Sequence, residues 1–280
     1  MIGNALFIHK DMPMTTSFTK QTPILIVGGF GSNPSLYEPL RSYLVDLSGQ
    51  PVFITPINRW DWAQVVVFDS YAGLLDKLDR AVHQAMTTTG SQQVTLVAHS
   101  AGGVLARIFL GDQPYRQRVY SGYRRVNMLI TLGTPQRAVR DGRIGGLSQI
   151  RWAEQHYPGA YWSQVRYVSV IGRSIFGDPD GPPPERGAYQ SYRLISGEGA
   201  QWGDGVVPLE YGLLPGSLQI VIPGLRHDPR PDRLWYGSSQ ATVAIWWQAA
   251  TAFAVTPPTG IGYNQTEAQV TVASAVGQRA

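Results

Sequence analysis

The chain has 280 residues, of which 43% are hydrophobic and 15% charged, so it can bury a sizeable core. Its formal net charge of +4 comes from scattered arginines without a block of like charge, which disfavours a nucleic-acid-binding protein. The chain has no cysteine, which excludes disulfides, thiolate catalysis and cysteine-ligated metal sites.

The predicted elements begin after an N-terminal extension. Residues 1–21 have neither the basic segment nor the long apolar run of a secretory signal. A β-rich run at residues 24–27, ended by two glycines, predicts the first strand. Next we predict a helix from Ser-Asn-Pro at 32–34 to about 47, a strand at 51–55, and a helix capped by Ser70 with helically spaced Leu74, Leu75, Leu78, Val82 and Ala85.

The second half of the chain continues this alternation. A third strand at residues 94–97 runs directly into His99 and Ser100. The later elements are predicted as a helix at 101–110, strands at 126–132, 165–171 and 218–222, and a final helix at 239–253. This pattern predicts an α/β fold in which helices cover both faces of a mostly parallel sheet.

Three segments depart from the alternation. Residues 136–164 are a candidate cap, and residues 173–202 contain Gly-Pro-Pro-Pro, which predicts an inserted loop. Residues 256–280 are small and polar and are predicted to be a flexible tail, which leaves one domain over residues 22–255.

No apolar run reaches the ~20 residues that a membrane-spanning helix needs. The absence of cysteine also fits a reducing compartment, and we therefore expect a cytoplasmic protein. The positive net charge leaves loose peripheral contact with an anionic membrane surface open.

Residues 98–103 read Ala-His-Ser-Ala-Gly-Gly, a variant of the Gly-x-Ser-x-Gly pattern. In this pattern the serine occupies a strained strand-to-helix turn, so its neighbours must be small. The turn exposes the hydroxyl near a helix N-terminus, whose partial positive charge favours an oxyanion. A capping serine is the ordinary alternative, but the predicted strand before it and helix after it favour Ser100 as a nucleophile.

The glycine-rich loop at residues 28–31 follows the first strand. Glycine lets the backbone approach a substrate closely, so the N–H of Phe30, with that of Ala101, is predicted to form an oxyanion hole. A dinucleotide-binding loop is disfavoured, because Pro34 stands where its third glycine is needed.

A base and an acid are expected after the nucleophile. Only His156 and His227 lie beyond Ser100. His227 is favoured, because it closely follows the sixth strand whereas His156 lies in the irregular segment.

The preferred acid is Asp204, in a Gly-Asp-Gly turn, where it would hold the imidazole tautomer. Asp178 and Asp180 are rivals nearer the fifth strand. Asp228 adjoins His227 in the chain and is poorly placed to reach its ring.

In combination, five segments resemble the lipase branch of the α/β-hydrolase superfamily. The alanine before His-Ser is similar to small bacterial lipases, and Asn-Arg-Trp-Asp-Trp at 58–62 is similar to a lipase-like group of cyanobacteria and chloroplasts. Many such enzymes carry His-Gly where this chain has Gly28 and Gly29, which predicts a differently shaped loop. The five segments lie at residues 27–31, 98–103, 131–135, 203–208 and 224–227.

The resemblance covers residues 22–255 and implies a lipase or esterase that cleaves carboxyl esters through an acyl-enzyme, without a metal or organic cofactor. An acyltransferase, a thioesterase and a catalytically silent binding protein remain alternatives. We expect an acyl-ester or lipid substrate, bound against an apolar wall or lid that the 136–164 segment forms over Ser100. The alternative is that the aromatic residues of this segment only anchor it to the domain. These residues are Trp152, Tyr157, Tyr161 and Trp162.

Overall fold

The computed structural model describes residues 21–139, 146–230, 232–253 and 269–271. The predicted N-terminal extension lies almost entirely outside these residues. The strands are β1 (Ile24–Val27), β2 (Val52–Ile54), β3 (Val94–His99), β4 (Val126–Leu132), β5 (Arg166–Arg173), β6 (Ile175–Phe176), β7 (Trp202–Gly203), β8 (Leu218–Pro223) and β9 (Gln269–Thr271).

Seven strands form one sheet in the order β2-β1-β3-β4-β5-β8-β9, and all its neighbouring pairs are parallel. The remaining strands, β6 and β7, form a separate antiparallel pair. The helices are α1 (Glu38–Ser48), α2 (Arg59–Phe68), α3 (Ala72–Thr89), α4 (Ala101–Leu110), α5 (Leu147–His156), α6 (Pro183–Ser196), α7 (Leu209–Gly212) and α8 (Gln240–Phe253).

The helices cover both faces of the sheet. Alternate residues of β1 point to opposite sides, as the period of a strand requires. Leu25 and Val27 join the core beneath α3, α4 and α5, whereas Ile24 and Ile26 join the core beneath α1 and α8. The predicted α/β fold with a mostly parallel sheet is therefore confirmed.

The first helix begins later than its capping sequence predicts. Pro34–Tyr37 form a turn of 3₁₀ helix, and α1 starts only at Glu38. Pro39 explains the delay, because it has no N–H to continue an α-helical ladder begun at Pro34, whereas the second position of a new helix tolerates it.

Two segments contain structure that was not predicted. Helix α2 begins at the N-cap Asn58, whose side chain forms a reciprocal capping box with Asp61. The prediction of a plain inserted loop at residues 173–202 is wrong. The paired strands β6 and β7 stand on either side of a 14-residue helix, α6. Pro182 and Gly197 bound this helix, so the proline and glycine signals mark its ends.

The tail prediction also needs correction, since residues 269–271 form β9 and pair with β8. The remaining tail, 256–268 and 272–280, lies outside the described residues. No helix in the described part of the chain is long and apolar enough to cross a membrane.

Candidate active site

Ser100 lies in a strained turn between β3 and α4. Its φ of 52° lies in the left-handed region that few non-glycine residues adopt. Its N–H donates to the Leu132 carbonyl at 2.9 Å, and its own carbonyl accepts from Thr134 Oγ1 at 2.9 Å. A side chain at Gly102 would come within 2.6 Å of the Val27 carbonyl oxygen, which explains the glycine two residues after the serine.

Three side chains from separate loops meet at this turn. Ser100 Oγ lies 2.8 Å from His227 Nε2, and His227 Nδ1 lies 2.7 Å from Asp204 Oδ2. The loop after β7 supplies Asp204, and the loop after β8 supplies His227. Ser100 and His227 follow β3 and β8 at the carboxyl edge of the parallel sheet. The β6–β7 pair, which begins directly after β5, brings Asp204 to the same edge.

The Asp204 carboxylate is fully buried and surrounded by donors. The Val206 and Val207 N–H groups donate to Oδ1 at 3.0 and 2.8 Å, and the Tyr236 hydroxyl donates to Oδ2 at 2.7 Å. Burial alone would raise the pKa of Asp204, but the adjacent His227 ring and these donors outweigh it and lower the pKa. Asp204 is thus ionised at neutral pH.

The same carboxylate shifts His227 in the opposite direction. Burial would lower the pKa of His227, but the charge and hydrogen bond of Asp204, with a smaller contribution from Asp228, hold that pKa above 6.5, its ordinary value. The neighbouring ring of His99 stays neutral, because burial and the nearby His227 lower its pKa to about 3. Of the two histidines of this site, His227 is therefore the one whose pKa is raised and His99 the one whose pKa is lowered.

We expect the kcat/KM of ester hydrolysis to fall on the acid side with a midpoint above pH 6.5, the ordinary imidazole value. His227 can accept a proton from Ser100 only while it is neutral, so activity is lost as the pH falls through its raised pKa. A pH profile on a water-soluble ester measures this midpoint. A midpoint well below 6.5 would contradict the raised pKa of His227.

A second series of hydrogen bonds, which was not predicted from the sequence, supports the site next to Ser100. His99 Nε2 faces the His227 carbonyl at 3.0 Å, so it carries the proton and Nδ1 accepts from the Tyr37 hydroxyl at 2.9 Å. Tyr37 in turn accepts from the Gly29 N–H at 2.8 Å. These hydrogen bonds connect the loop of His227 to the glycine-rich loop at residues 28–31, next to Ser100.

Of these supporting residues, His99 belongs to the motif at residues 98–103, directly before Ser100. Tyr37 and Tyr236 had no sequence signal, because their partners are distant in the chain. Tyr236 also accepts the Gly172 N–H at 3.0 Å, so its hydroxyl joins the end of β5 to the carboxylate of Asp204.

The two predicted oxyanion donors lie beside Ser100. Phe30 and Ala101 both line the cavity that opens at the serine. Ala101 is the first residue of α4, where an N–H has no intrahelical acceptor. A side chain at Gly29 would come within 2.9 Å of Ser100 Cβ, so glycine is needed for this close approach.

The cavity at Ser100 has a volume of about 190 Å³ and a mainly apolar lining. Helix α5 contributes Leu147 and Ile150, and α6 contributes Leu194 and Ile195. The other lining residues are Phe30, Tyr71, Ser100, Ala101, Val104, Pro135, Ser191, Val206 and Val207.

The expected aromatic wall requires correction. None of Trp152, Tyr157, Tyr161 and Trp162 lines this cavity. Trp152 follows Ile150 by two residues, about half a turn around α5, and therefore faces away from the cavity.

These aromatic residues anchor their segment to the domain instead. Trp152 packs edge-on against Tyr115 at 5.0 Å, and Trp162 stacks on Tyr123 at 3.9 Å. The Tyr157 hydroxyl accepts from the Gln113 N–H at 2.6 Å, and Tyr161 packs edge-on against Tyr157. The segment reaches the cavity through Leu147 and Ile150, and its residues 140–145 lie outside the described part of the chain.

The rival residues lie elsewhere. His156 stacks on Trp152 at 4.1 Å, and its Nδ1 is 2.8 Å from the Trp152 carbonyl oxygen. Asp178 accepts the Asp180 N–H in the turn before α6, and Asp228 faces Arg233 at 3.4 Å. Among the described residues, no cluster of three or more acidic, histidine or cysteine side chains could hold a metal ion.

Comparisons with protein-family models and with curated proteins find no match. Solved structures do match. The mature lipase BlEst2 of Bacillus licheniformis has a TM-score of 0.54 at 15% identity, covering 83% of this chain and 93% of its own. The metagenomic carboxyl esterase MGS0156 has a TM-score of 0.56 at 12% identity, covering 84% of this chain and 76% of its own. Phospholipase PlaB of Legionella pneumophila in complex with thio-NAD has a TM-score of 0.52 at 16% identity, covering 85% of this chain and 59% of its own.

At such identities a structural match establishes a common architecture. The similarity covers 83% and 84% of this chain, whose parallel sheet has helices on both faces. The chain therefore has the α/β-hydrolase fold.

Proposed function

We propose that the protein is a serine hydrolase that cleaves carboxyl esters through an acyl-enzyme on Ser100. The observation that supports this most directly is the hydrogen-bonded series Ser100–His227–Asp204, which opens into an apolar cavity. A serine, a histidine and a buried carboxylate in this geometry are the groups that acyl transfer requires.

In the proposed reaction, the Ser100 hydroxyl gives its proton to His227 Nε2 as Oγ attacks the ester carbonyl carbon. The N–H groups of Phe30 and Ala101 hold the oxygen that becomes negative. When the tetrahedral intermediate collapses, His227 returns the proton to the leaving alcohol. Water then repeats the sequence on the acyl-enzyme and releases a carboxylic acid.

The alternative functions differ from ester hydrolysis in the acyl acceptor, in the acyl donor or in the absence of a reaction. An acyltransferase would deliver the acyl group to an alcohol other than water, and a thioesterase would accept a thioester. A silent binding protein would have no need of the buried, ionised Asp204 behind His227. Ester and thioester turnover, with and without an added alcohol, separates these functions.

The small cavity at Ser100 favours short or medium acyl chains. Its volume of about 190 Å³ is below the range of about 300–1,000 Å³ that is common for drug-sized ligands. Leu194 occupies part of the wall formed by α6, so its side chain limits the space for an acyl chain.

We expect p-nitrophenyl butyrate to be a better substrate than p-nitrophenyl palmitate, and Leu194→Ala to move this preference toward longer chains. Removing the leucine side chain enlarges the cavity and leaves Ser100, Asp204 and His227 unchanged. The ratio of kcat/KM values between long-chain and butyrate esters is the measurement.

Leu209→Ala is the matched control for Leu194→Ala, because Leu209 packs against the same core and does not line the cavity. It should leave the ratio unchanged. An equal ratio in wild type, Leu194→Ala and Leu209→Ala would remove the assignment of this cavity to the acyl chain.

Helix α2 supports action at a lipid surface. Trp60, Val67 and Phe68 are 69%, 72% and 68% exposed, which is unusual for large apolar residues in one short helix. Phe30, at the cavity, packs edge-on against Trp62 of α2 at 5.7 Å. Helix α2 therefore contacts the cavity residue Phe30 through its buried side, and Trp60 and Val67 lie on its opposite, exposed side.

A basic side chain accompanies this apolar surface. The Arg59 guanidinium lies 5.0 Å from the centre of the Trp60 ring. Tryptophan and arginine together are suited to the headgroup level of an anionic bilayer, with the valine and phenylalanine side chains entering the acyl boundary. We propose peripheral binding through α2 to such a surface.

We expect the double variant Val67→Ser/Phe68→Ser to bind phosphatidylglycerol vesicles about tenfold or more weakly, because it loses two apolar side chains at the interface. Hydrolysis of a water-soluble ester should not change. Vesicle sedimentation measures binding, and Val119→Ser removes a 47% exposed valine before β4 as the control. Vesicle binding that is equal in all three proteins would show that α2 is not the contact.

A further inference from the structure

A second cavity, of about 380 Å³, lies apart from Ser100. Its lining includes the last turn of α4, the turn at residues 158–160 after α5 and the turn at 214–216 before β8. Among the described residues, none lines both this cavity and the cavity at Ser100. We name it the arginine cavity, because Arg107 and Arg137 both line it.

Arg107 is a buried cation whose hydrogen-bond partners are neutral. It is 2% exposed. Its guanidinium donates to the backbone oxygens of Gln136 and Tyr157 at 2.6 and 2.9 Å, and to the Gln136 side-chain oxygen at 3.3 Å. Burial lowers the pKa of Arg107 to about 10, which still leaves it protonated at neutral pH.

This charge has little direct compensation. No carboxylate of the described residues forms an ion pair with Arg107. The charge is offset only in part, by the Glu154 carboxylate on the same wall, which raises the pKa of Arg107, and by the helix dipole at the last turn of α4, equivalent to about half a charge. Because burial of an unpaired charge is costly, buried arginines ordinarily have an anionic partner.

Arg137 adds a second guanidinium to the same cavity. It stacks over Tyr211 at 4.8 Å, and its Nε is buried without a hydrogen-bond partner among the described residues. Glu154 is the one acidic residue among those that line the cavity. Two guanidinium groups and one carboxylate leave a net charge of +1 on the wall, which a singly charged anion would neutralise.

We propose that the arginine cavity binds a small anion, a carboxylate or a phosphate group, between Arg107 and Arg137. Guanidinium N–H groups match the oxygens of both groups through paired, charge-assisted hydrogen bonds. Glu154, on the same wall, accepts a hydrogen bond from a donor such as a hydroxyl on the ligand. The chemistry is therefore that of a small hydroxylated acid or phosphate, bound independently of the reaction at Ser100.

Titration calorimetry at low salt tests the site with two probes, lactate for a hydroxylated carboxylate and glycerol 3-phosphate for a hydroxylated phosphate. We expect saturable one-to-one binding of at least one probe, and the tighter probe identifies the anionic group. Arg137→Met should weaken binding by about tenfold or more, since it removes a charge-assisted contact. Arg80→Met removes an exposed arginine of α3 and should change nothing.

Arg107→Met should abolish binding, with circular dichroism as the check on its folding, because Arg107 also joins two loops. Arg137 is partly exposed, so its variant tests the site even if Arg107→Met does not fold. The proposal is overturned if neither probe binds saturably to the wild type, or if Arg137→Met binds as tightly as Arg80→Met. Neither result depends on ester hydrolysis.

Discussion

We expect Ser100→Ala to lower the kcat of ester hydrolysis by on the order of 10⁴- to 10⁶-fold, because the variant has no oxygen to form the acyl-enzyme. The backbone contacts of Ser100 with Leu132 and Thr134 do not involve its hydroxyl and should persist. The variant should therefore fold normally, as circular dichroism and thermal unfolding can establish. The residual rate would come from substrate binding and the oxyanion donors.

Ser191→Ala is the matched control for this experiment. Ser191 lines the same cavity, but its hydroxyl donates to the Val206 carbonyl at 2.7 Å and not to a histidine. We expect its activity to stay within a few-fold of wild type. Retention of more than a few per cent of wild-type activity by purified Ser100→Ala would show that another residue is the nucleophile.

The second large effect is expected at Asp204. Asp204→Asn should lower kcat by about four orders of magnitude. An amide nitrogen facing His227 Nδ1 would favour the tautomer with its proton on Nε2, which cannot accept the proton of Ser100. The amide also has no charge to stabilise the imidazolium that forms during the reaction.

Asp178→Asn and Asp180→Asn are the controls for Asp204→Asn. Both aspartates lie in the turn before α6, where the Asp178 side chain accepts the Asp180 N–H at 2.9 Å. Their variants should cause mild changes in kcat. A loss at Asp178→Asn equal to that at Asp204→Asn would overturn the assignment of the acid.

Strands and buried helices were largely predictable, because their signals are local and periodic. The strand at 126–132 and the helix at 101–110 match their predicted bounds, and the apolar spacing of α3 matches its buried face. Helix α2 has no such signal, since Val66, Val67 and Phe68 are consecutive apolar residues that remain exposed. Its only local sign was the Asn58–Asp61 capping box.

The residues of the candidate site also differ in whether a local sequence signal marks them. Ser100, Asp204 and His227 are marked by short motifs at the ends of strands, and chain order restricts the choice among them. The cavity walls have no such motif, because α5 and α6 are distant in the chain and come to the same cavity only in the folded protein. The sequence cannot distinguish an aromatic residue that faces a ligand from one that anchors a loop. For Trp152, its position on the side of α5 opposite Ile150 makes it an anchoring residue.

Labelling by a fluorophosphonate probe, followed by peptide mass spectrometry, tests the central claim most directly. The reagent reacts only with an activated serine, so it reports the chemistry without a choice of ester substrate. We expect one adduct, on Ser100, that is absent in Ser100→Ala and forms much more slowly in Asp204→Asn. An unlabelled wild-type protein, or an adduct on a serine other than Ser100, would contradict the proposal that Ser100 is an activated nucleophile.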